Sequence, residues 1–281
     1  MSLNLQGKIE IVSRTDEGQV RDHNEDYISD NPTLGVAVLA DGMGGLNAGE
    51  VASSMAVHLL MQELIAYRLG ESELPAELGH EESDLPMETR VVRKVVEMAN
   101  DAVFHSSQTQ PQHKGMGTTV VVVIYYDNKM SIAHIGDSRV YRFRGKELEQ
   151  VTKDHSFVQE LIDKGLYTKE EARTSDKKNV VTRALGVAPF VEVECHEYET
   201  QVNDIYLTCS DGLHDLVADH DIERAFLELS GNLTELANYL VELANANGGK
   251  DNISVILTRI VKPYPDEADE GLLQRIVNWF E

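Results

Sequence analysis

Apolar and polar positions follow two rhythms along this chain, and the switches between them outline its architecture. Short apolar or alternating runs predict strands at Ile9–Ser13, Tyr27–Ser29 and Leu34–Ala40. Between Gly49 and Tyr67 the rhythm turns helical, with Val51, Met55, Leu59 and Ile65 recurring on one face. Arg68 to Glu88 is polar and acidic and carries Pro75 and Pro86, so a loop is expected there. A second helix follows over Thr89–Ser106. Thr119–Tyr126, Met130–Ile135 and Val140–Phe143 read as a meander, with Asp127-Asn128 and Arg144-Gly145 as its turns. Further strands are expected at Val191–Tyr198, Asp204–Cys209 and Ile253–Ile260, and helices at Asp219–Leu229 and Leu233–Ala246. Strands and helix pairs are segregated instead of alternating singly, which favours an α+β layered sandwich over a doubly wound parallel sheet.

Residues 155–181 break the strand rhythm with two short helical stretches, Phe157–Lys164 and Lys169–Arg173, and few core positions. Seven Lys/Arg and six Asp/Glu between Lys153 and Arg183 leave this insert near neutral. It is either a solvated surface unit or a flap beside a site. From Lys262 the chain becomes acidic and Pro-containing, and Leu272, Leu273, Ile276, Val277 and Phe280 then share one side of a short helix. Such a helix is marginal alone, so docking on its own domain is the expectation and partner binding the alternative. The main domain is therefore placed at 1–262, with a linker and short amphipathic helix at 263–281.

Charge narrows the choice of partners. The 281 residues include 25 Lys+Arg against 48 Asp+Glu, a net charge of −23. Nucleic-acid phosphates and anionic lipids would be repelled, so neither is expected as a partner. Cys195 and Cys209, in strands that could be neighbours, suit buried reduced thiols better than a secreted disulfide framework. Neither a membrane-spanning run nor a signal-peptide pattern is present, and a cytoplasmic monomer is the expectation.

Four aspartates stand beside turn signals at or next to strand-like runs: Asp41-Gly42, Gly136-Asp137, Asp211-Gly212 and Asp251-Asn252. Carboxylate oxygens are what hard cations such as Mg2+ and Mn2+ prefer, and strand ends are rigid places to hang them. Asp41-Gly42-Met43-Gly44-Gly45 adds glycines that allow close backbone approach, without the pattern of a dinucleotide fold or P-loop. Arg21-Asp22-His23-Asn24-Glu25-Asp26 places an arginine among carboxylates. Any one of these is weaker as a site than as a turn or charged loop; their number and order change that.

Arg21-x-x-Asn24-Glu25-Asp26, Asp41-Gly42-Met43-Gly44-Gly45, Gly115-Met116-Gly117-Thr118-Thr119, His134 to Arg139, Asp154-His155-Ser156, Thr182 to Gly186, Cys209 to Leu213 and Gly249 to Asn252 occur in that order. Together, from about Ile9 to Ile260, they resemble the bacterial branch of the metal-dependent serine/threonine protein phosphatases, protein phosphatase type 2C. The resemblance implies a four-layer sandwich of two central antiparallel β-sheets flanked by helix pairs, with two Mn2+ or Mg2+ ions at one end and a third, weaker one. It implies that Asp41 bridges the two ions, that the Gly42 carbonyl joins one, and that Asp211 and Asp251 hold the other. Asp26 and Glu25 would act nearby through water, Asn252 would support them, Asp137 with Asp211 would hold the third ion, and Arg21 would bind phosphate. The insert would be the family's variable flap.

The chemistry so implied is hydrolysis of phosphoserine or phosphothreonine by a water activated between two cations. Neither cysteine lies in a phosphate-cradling loop, so no covalent intermediate is expected. Met43 stands where eukaryotic relatives often carry a histidine that protonates the leaving group, and methionine cannot; His134 and His155 are expected to be structural. Implied partners are phosphorylated proteins, among them a cognate Ser/Thr kinase. The alternatives are a catalytically silent scaffold of the same fold, or a phosphatase dedicated to an anti-sigma-factor antagonist or a secretion assembly.

Overall fold

Seven consecutive apolar residues, Val120–Tyr126, form β5, and all seven are buried. Strand side chains alternate between faces, so a strand apolar throughout needs cover on both sides. Val120, Val122, Ile124 and Tyr126 pack beneath helices, while Val121, Val123 and Tyr125 meet a second sheet. This double burial sets the layering. In this computed structural model, residues 4–45, 48–74, 78 and 84–265 are described.

The first sheet runs β2 (Asp26–Asn31), β3 (Val36–Met43), β5, β6 (Lys129–Ile135) and β9 (Glu194–Glu199), with the short β4 (Gly117–Thr118) on the end of β3. The second runs β1 (Ile9–Asp16), β11 (Ile253–Ile260), β10 (Ile205–Cys209), β7 (Arg139–Arg144) and β8 (Glu147–Gln150). Neighbouring strands are antiparallel in both. Helices α1 (Ala48–Leu69) and α2 (Met87–Thr109) cover the first sheet, with Leu60, Leu64, Val92 and Val96 in the shared core. The insert carries α3 (Phe157–Asp163) and α4 (Lys169–Arg173), and the single-turn α5 (Asp211–His214) follows β10 directly. Helices α6 (Asp219–Leu229) and α7 (Leu233–Ala246) cover the second sheet through Phe226, Leu236 and Leu240. The result is an α+β sandwich of four layers.

Departures from the expected elements have local causes. β8 reads Glu-Leu-Glu-Gln on a sheet edge, and only Leu148 packs on the core, so it has no apolar signature. β3 does not turn at Asp41 but continues to Met43, because Gly42 and Met43 pair with Thr118 and Gly117 of β4. α1 runs past Tyr67 to Leu69, and Arg68 goes inward: its buried guanidinium donates from Nε to Leu34 O at 3.0 Å and from Nη2 to Tyr125 O. Leu74, in the expected polar loop, is buried against the helix pair. Cys195 and Cys209 are free and lie on strands of different sheets, so they are not neighbours.

The core also extends beyond residue 262. Tyr264 is fully buried, its N–H donates to Asn128 Oδ1 at 2.6 Å, and its hydroxyl lies 2.6 Å from Thr200 Oγ1 and 3.0 Å from Lys129 O. The helix expected around Leu272 to Phe280 lies outside the described residues. Tyr264→Ala is expected to cost about 3–5 kcal/mol, seen as a lower urea midpoint at unchanged slope, whereas Tyr264→Phe should cost about 1 kcal/mol.

Candidate active site

All the acidic strand ends point the same way. Asp26 at the start of β2 pairs directly with Asp41 near the end of β3. Asp137 sits on the short link between β6 and β7, where the chain passes from the first sheet to the second. Asp211 opens α5 just beyond β10, and Asp251 precedes β11, the neighbour of β10. Because β10 and β11 are antiparallel, the end of one meets the start of the other, and Ser210 N–H donates to Ser254 O at 3.1 Å. Residues separated by up to 225 positions in the chain thus share one end of the sandwich.

Electrostatics shows how closely they gather. Burial pushes the Asp41 carboxyl well above its ordinary range, and the facing charges of Asp26, Asp211, Asp137 and Asp251 push it further. Burial does the same to Asp211, followed by Asp137, Asp251, Asp215 and Asp26. Asp26 and Asp137 are each driven up to about 7, burial again leading. Like charges so arranged cannot all ionise without a counter-charge. Asp26 Oδ1 is also buried with no donor opposite it. The donors are oxygens throughout, so the site fits hard divalent cations.

The backbone around these acids is packed to contact. A Cβ on Gly42 would lie 2.2 Å from Gly49 O and 2.6 Å from Glu25 O, and one on Gly212 would lie 2.0 Å from Asn252 O. Only glycine lets these three segments approach so nearly. Glu25 accepts the N–H groups of Gly49 and Glu50 at the start of α1, and its own N–H donates to Asn252 Oδ1 at 2.8 Å. Asn252 Nδ2 donates to Glu17 O at 3.0 Å and His23 O at 2.9 Å, so this side chain clamps the whole segment that carries Arg21. The half-exposed Arg21 guanidinium reaches over the centre and donates from Nη2 to Asp251 Oδ2 at 2.7 Å.

Hydroxyl and imidazole groups that sequence patterns did not single out complete the setting. Ser210 Oγ donates to Asp26 Oδ2 at 2.8 Å, and the Asp41 N–H donates to Thr119 Oγ1 at 3.1 Å. Buried His214, kept neutral first by burial, donates from Nε2 to Asp137 O at 3.1 Å. Thr119 and Ser210 stand within motifs read from the sequence, though without a role assigned there; nothing local marks His214. Ser156 caps α3, accepting the Gln159 N–H at 3.3 Å. The insert folds against this end: Lys178 Nζ bonds Asp215 Oδ2 at 2.6 Å, and a cavity of about 190 Å³ between them is lined by Asp137, Asp211 and Arg173.

Fold and donor set together define a two-sheet α+β sandwich with a cluster of carboxylates, fitted to hard divalent cations, at one end. Residues 14–249 match protein phosphatase 2C, and the chain belongs to that family. It is 39% identical over 247 residues to the serine/threonine phosphatase stp of Listeria monocytogenes serotype 4b, covering 87% of this chain and 93% of that one. To the serine/threonine protein phosphatase PstP of Mycobacterium tuberculosis it is 37% identical over 252 residues, 89% of this chain but 45% of PstP. The crystal structure of the Mycobacterium tuberculosis phosphatase PstP/Ppp superposes with a TM-score of 0.78 at 35% identity, covering 90% of this chain and 99% of that one. The PstP catalytic domain in complex with 2 manganese ions superposes with a TM-score of 0.75 over the same shares.

Asp26 and Asp137 have folded pKa values near 7, above the ordinary 3.8. Their contribution to metal-free stability is therefore complete below about pH 4 and is lost as pH rises through about 7, where cations replace the departed protons. The gain in Tm produced by saturating Mn2+ is expected to grow from about pH 5 to about pH 8. A gain independent of pH in scanning calorimetry would contradict this electrostatic account.

Proposed function

We propose that this chain hydrolyses phosphoserine and phosphothreonine in proteins, and that it opposes a Ser/Thr kinase. The observation that carries the reading is the convergence of Asp41, Asp211 and Asp251 in one partly buried group, with Arg21 held 2.7 Å from Asp251. In this reading Asp41, the Gly42 carbonyl, Asp211 and Asp251 hold two Mn2+ or Mg2+ ions, and Asp137 with Asp211 offers a third position. When bound, such ions neutralise the phosphoryl dianion and make water a competent nucleophile at neutral pH.

The remaining work falls to the side chains around that group. Arg21 presents a planar fork to phosphate oxygens, and its exposure leaves free N–H groups for that purpose. The Asn252 clamp holds the Arg21 segment before substrate arrives, so orientation is built in. Buried Asp26 and part-exposed Glu25 act nearby, largely through water. Ser210 fixes the Asp26 carboxylate so that its second oxygen faces the centre. The insert, pinned by Lys178 to Asp215, forms one wall beside Asp137 and Asp211. Residues 1–262 carry all of these groups.

Mn2+-dependent release of phosphate from a phosphothreonine peptide tests the reading. Asp211→Asn is expected to abolish it, as is a chelator. Arg21→Ala should lower kcat/KM by about 10- to 150-fold, the worth of a charged hydrogen-bonding group, mostly through KM. Full turnover by Asp211→Asn would refute the assignment.

A further inference from the structure

One cluster of titratable side chains takes no part in the reading above. β6 and β9 pair so that His134 stands directly opposite Glu194, with His196 two residues further along β9 on the same face. His155, at the entry to the insert, lays its ring on His134 with centroids 4.8 Å apart and planes 13° from parallel. His155 Nε2 lies 3.0 Å from Glu194 Oε2, and His134 Nε2 lies 3.7 Å from Glu194 Oε1. One nitrogen of each histidine and one oxygen of Glu194 all fall within 4.8 Å of one another. His196 Nε2, 2.8 Å from Glu194 Oε1, orients the carboxylate from outside.

His134 is the informative member. It is 0% exposed, and among the described residues neither ring nitrogen makes a hydrogen bond of ordinary length: Nε2 faces Glu194 Oε1 at 3.7 Å and Nδ1 has no partner. A neutral imidazole has one donor and one acceptor, and leaving each buried and unmet costs about 1–3 kcal/mol. His155, by contrast, is satisfied: Nδ1 accepts the Gly136 N–H at 3.2 Å, which places its proton on Nε2, toward Glu194. Glu194 is 29% exposed and gives the cluster a route to solvent.

We propose that His134, His155 and Glu194 form a second metal site, apart from the aspartate centre, for a borderline cation of the Zn2+ class. Two imidazoles and a carboxylate form a donor set that zinc accepts with its fourth position open, whereas Mg2+ and Mn2+ favour the oxygen donors of the other centre. Tetrahedral zinc holds its ligands about 3.3 Å apart, so the stacked rings must splay and the cluster must draw in by about 1 Å. Binding through His155 Nε2 also moves that ring's proton to Nδ1, where it confronts the Gly136 N–H. That hydrogen bond then breaks, one residue from Asp137. Zinc occupancy is thereby felt by the backbone that carries an acid of the first centre.

Zn2+ is titrated calorimetrically into the full chain in saturating Mg2+, and the zinc X-ray absorption spectrum is read for imidazole scattering. The carboxylate centre as assigned contains no histidine, so the spectrum separates the two sites whether or not the phosphatase reading holds. Wild type and Asp251→Asn are expected to bind one tight equivalent with imidazole scattering. Glu194→Gln, which preserves shape and hydrogen-bond acceptance, should weaken that equivalent by at least about 100-fold, and His155→Gln should do the same. Oxygen-only scattering, no uptake above the Mg2+-filled centre, or unchanged uptake by folded Glu194→Gln would each overturn the proposal.

Discussion

Mutual repulsion among buried carboxylates is the constraint around which this molecule is organised. Asp26, Asp41, Asp137 and Asp211 are each displaced upward by burial, and Asp41 and Asp211 also by one another's neighbourhood. Folding alone gives no reason to bring them together. The scaffold forces them there because both sheets are apolar on both faces and so must be stacked and covered. A divalent cation bound there would convert that forced proximity from a penalty into a binding site.

Rigidity at this end comes from backbone contact. Gly42 and Gly212 let β3, α1, α5 and the Asp251-Asn252 turn meet with no side chain between them. The acids are therefore displayed from segments that touch, and small relative movements of those segments are resisted by hard contacts. Asp137 is placed differently, on a link between the sheets, and is steadied by His214 through its carbonyl. Asp137 thus reaches the cluster from a link between the sheets, whereas the other acids stand on segments in direct backbone contact.

Much of this was legible in the sequence, for identifiable reasons. The long strands and covering helices announce themselves because β5 is apolar throughout and α6 and α7 each carry one apolar face. The candidate site residues could be picked out because glycine and aspartate recur beside turns in a recognisable order, and the structure brings those acids to one end of the sandwich. Other features were not. β8 is polar and held by edge pairing; Arg68 enters the core because two carbonyls await it; Leu74 hides in a polar stretch. His134 and Glu194 face one another only through the β6–β9 register, which no local pattern encodes. Their strands are separated by the whole insert, so the pairing belongs to topology.

Asn252 holds the strip from Glu17 to Glu25 at three points. The conformational freedom of that strip is thus surrendered when the protein folds, not when an anion arrives. An anion arriving at this face would meet a guanidinium whose supporting backbone is already in place. In the proposed reading, recognition would then rest on the phosphoryl group and leave the surrounding peptide free to vary.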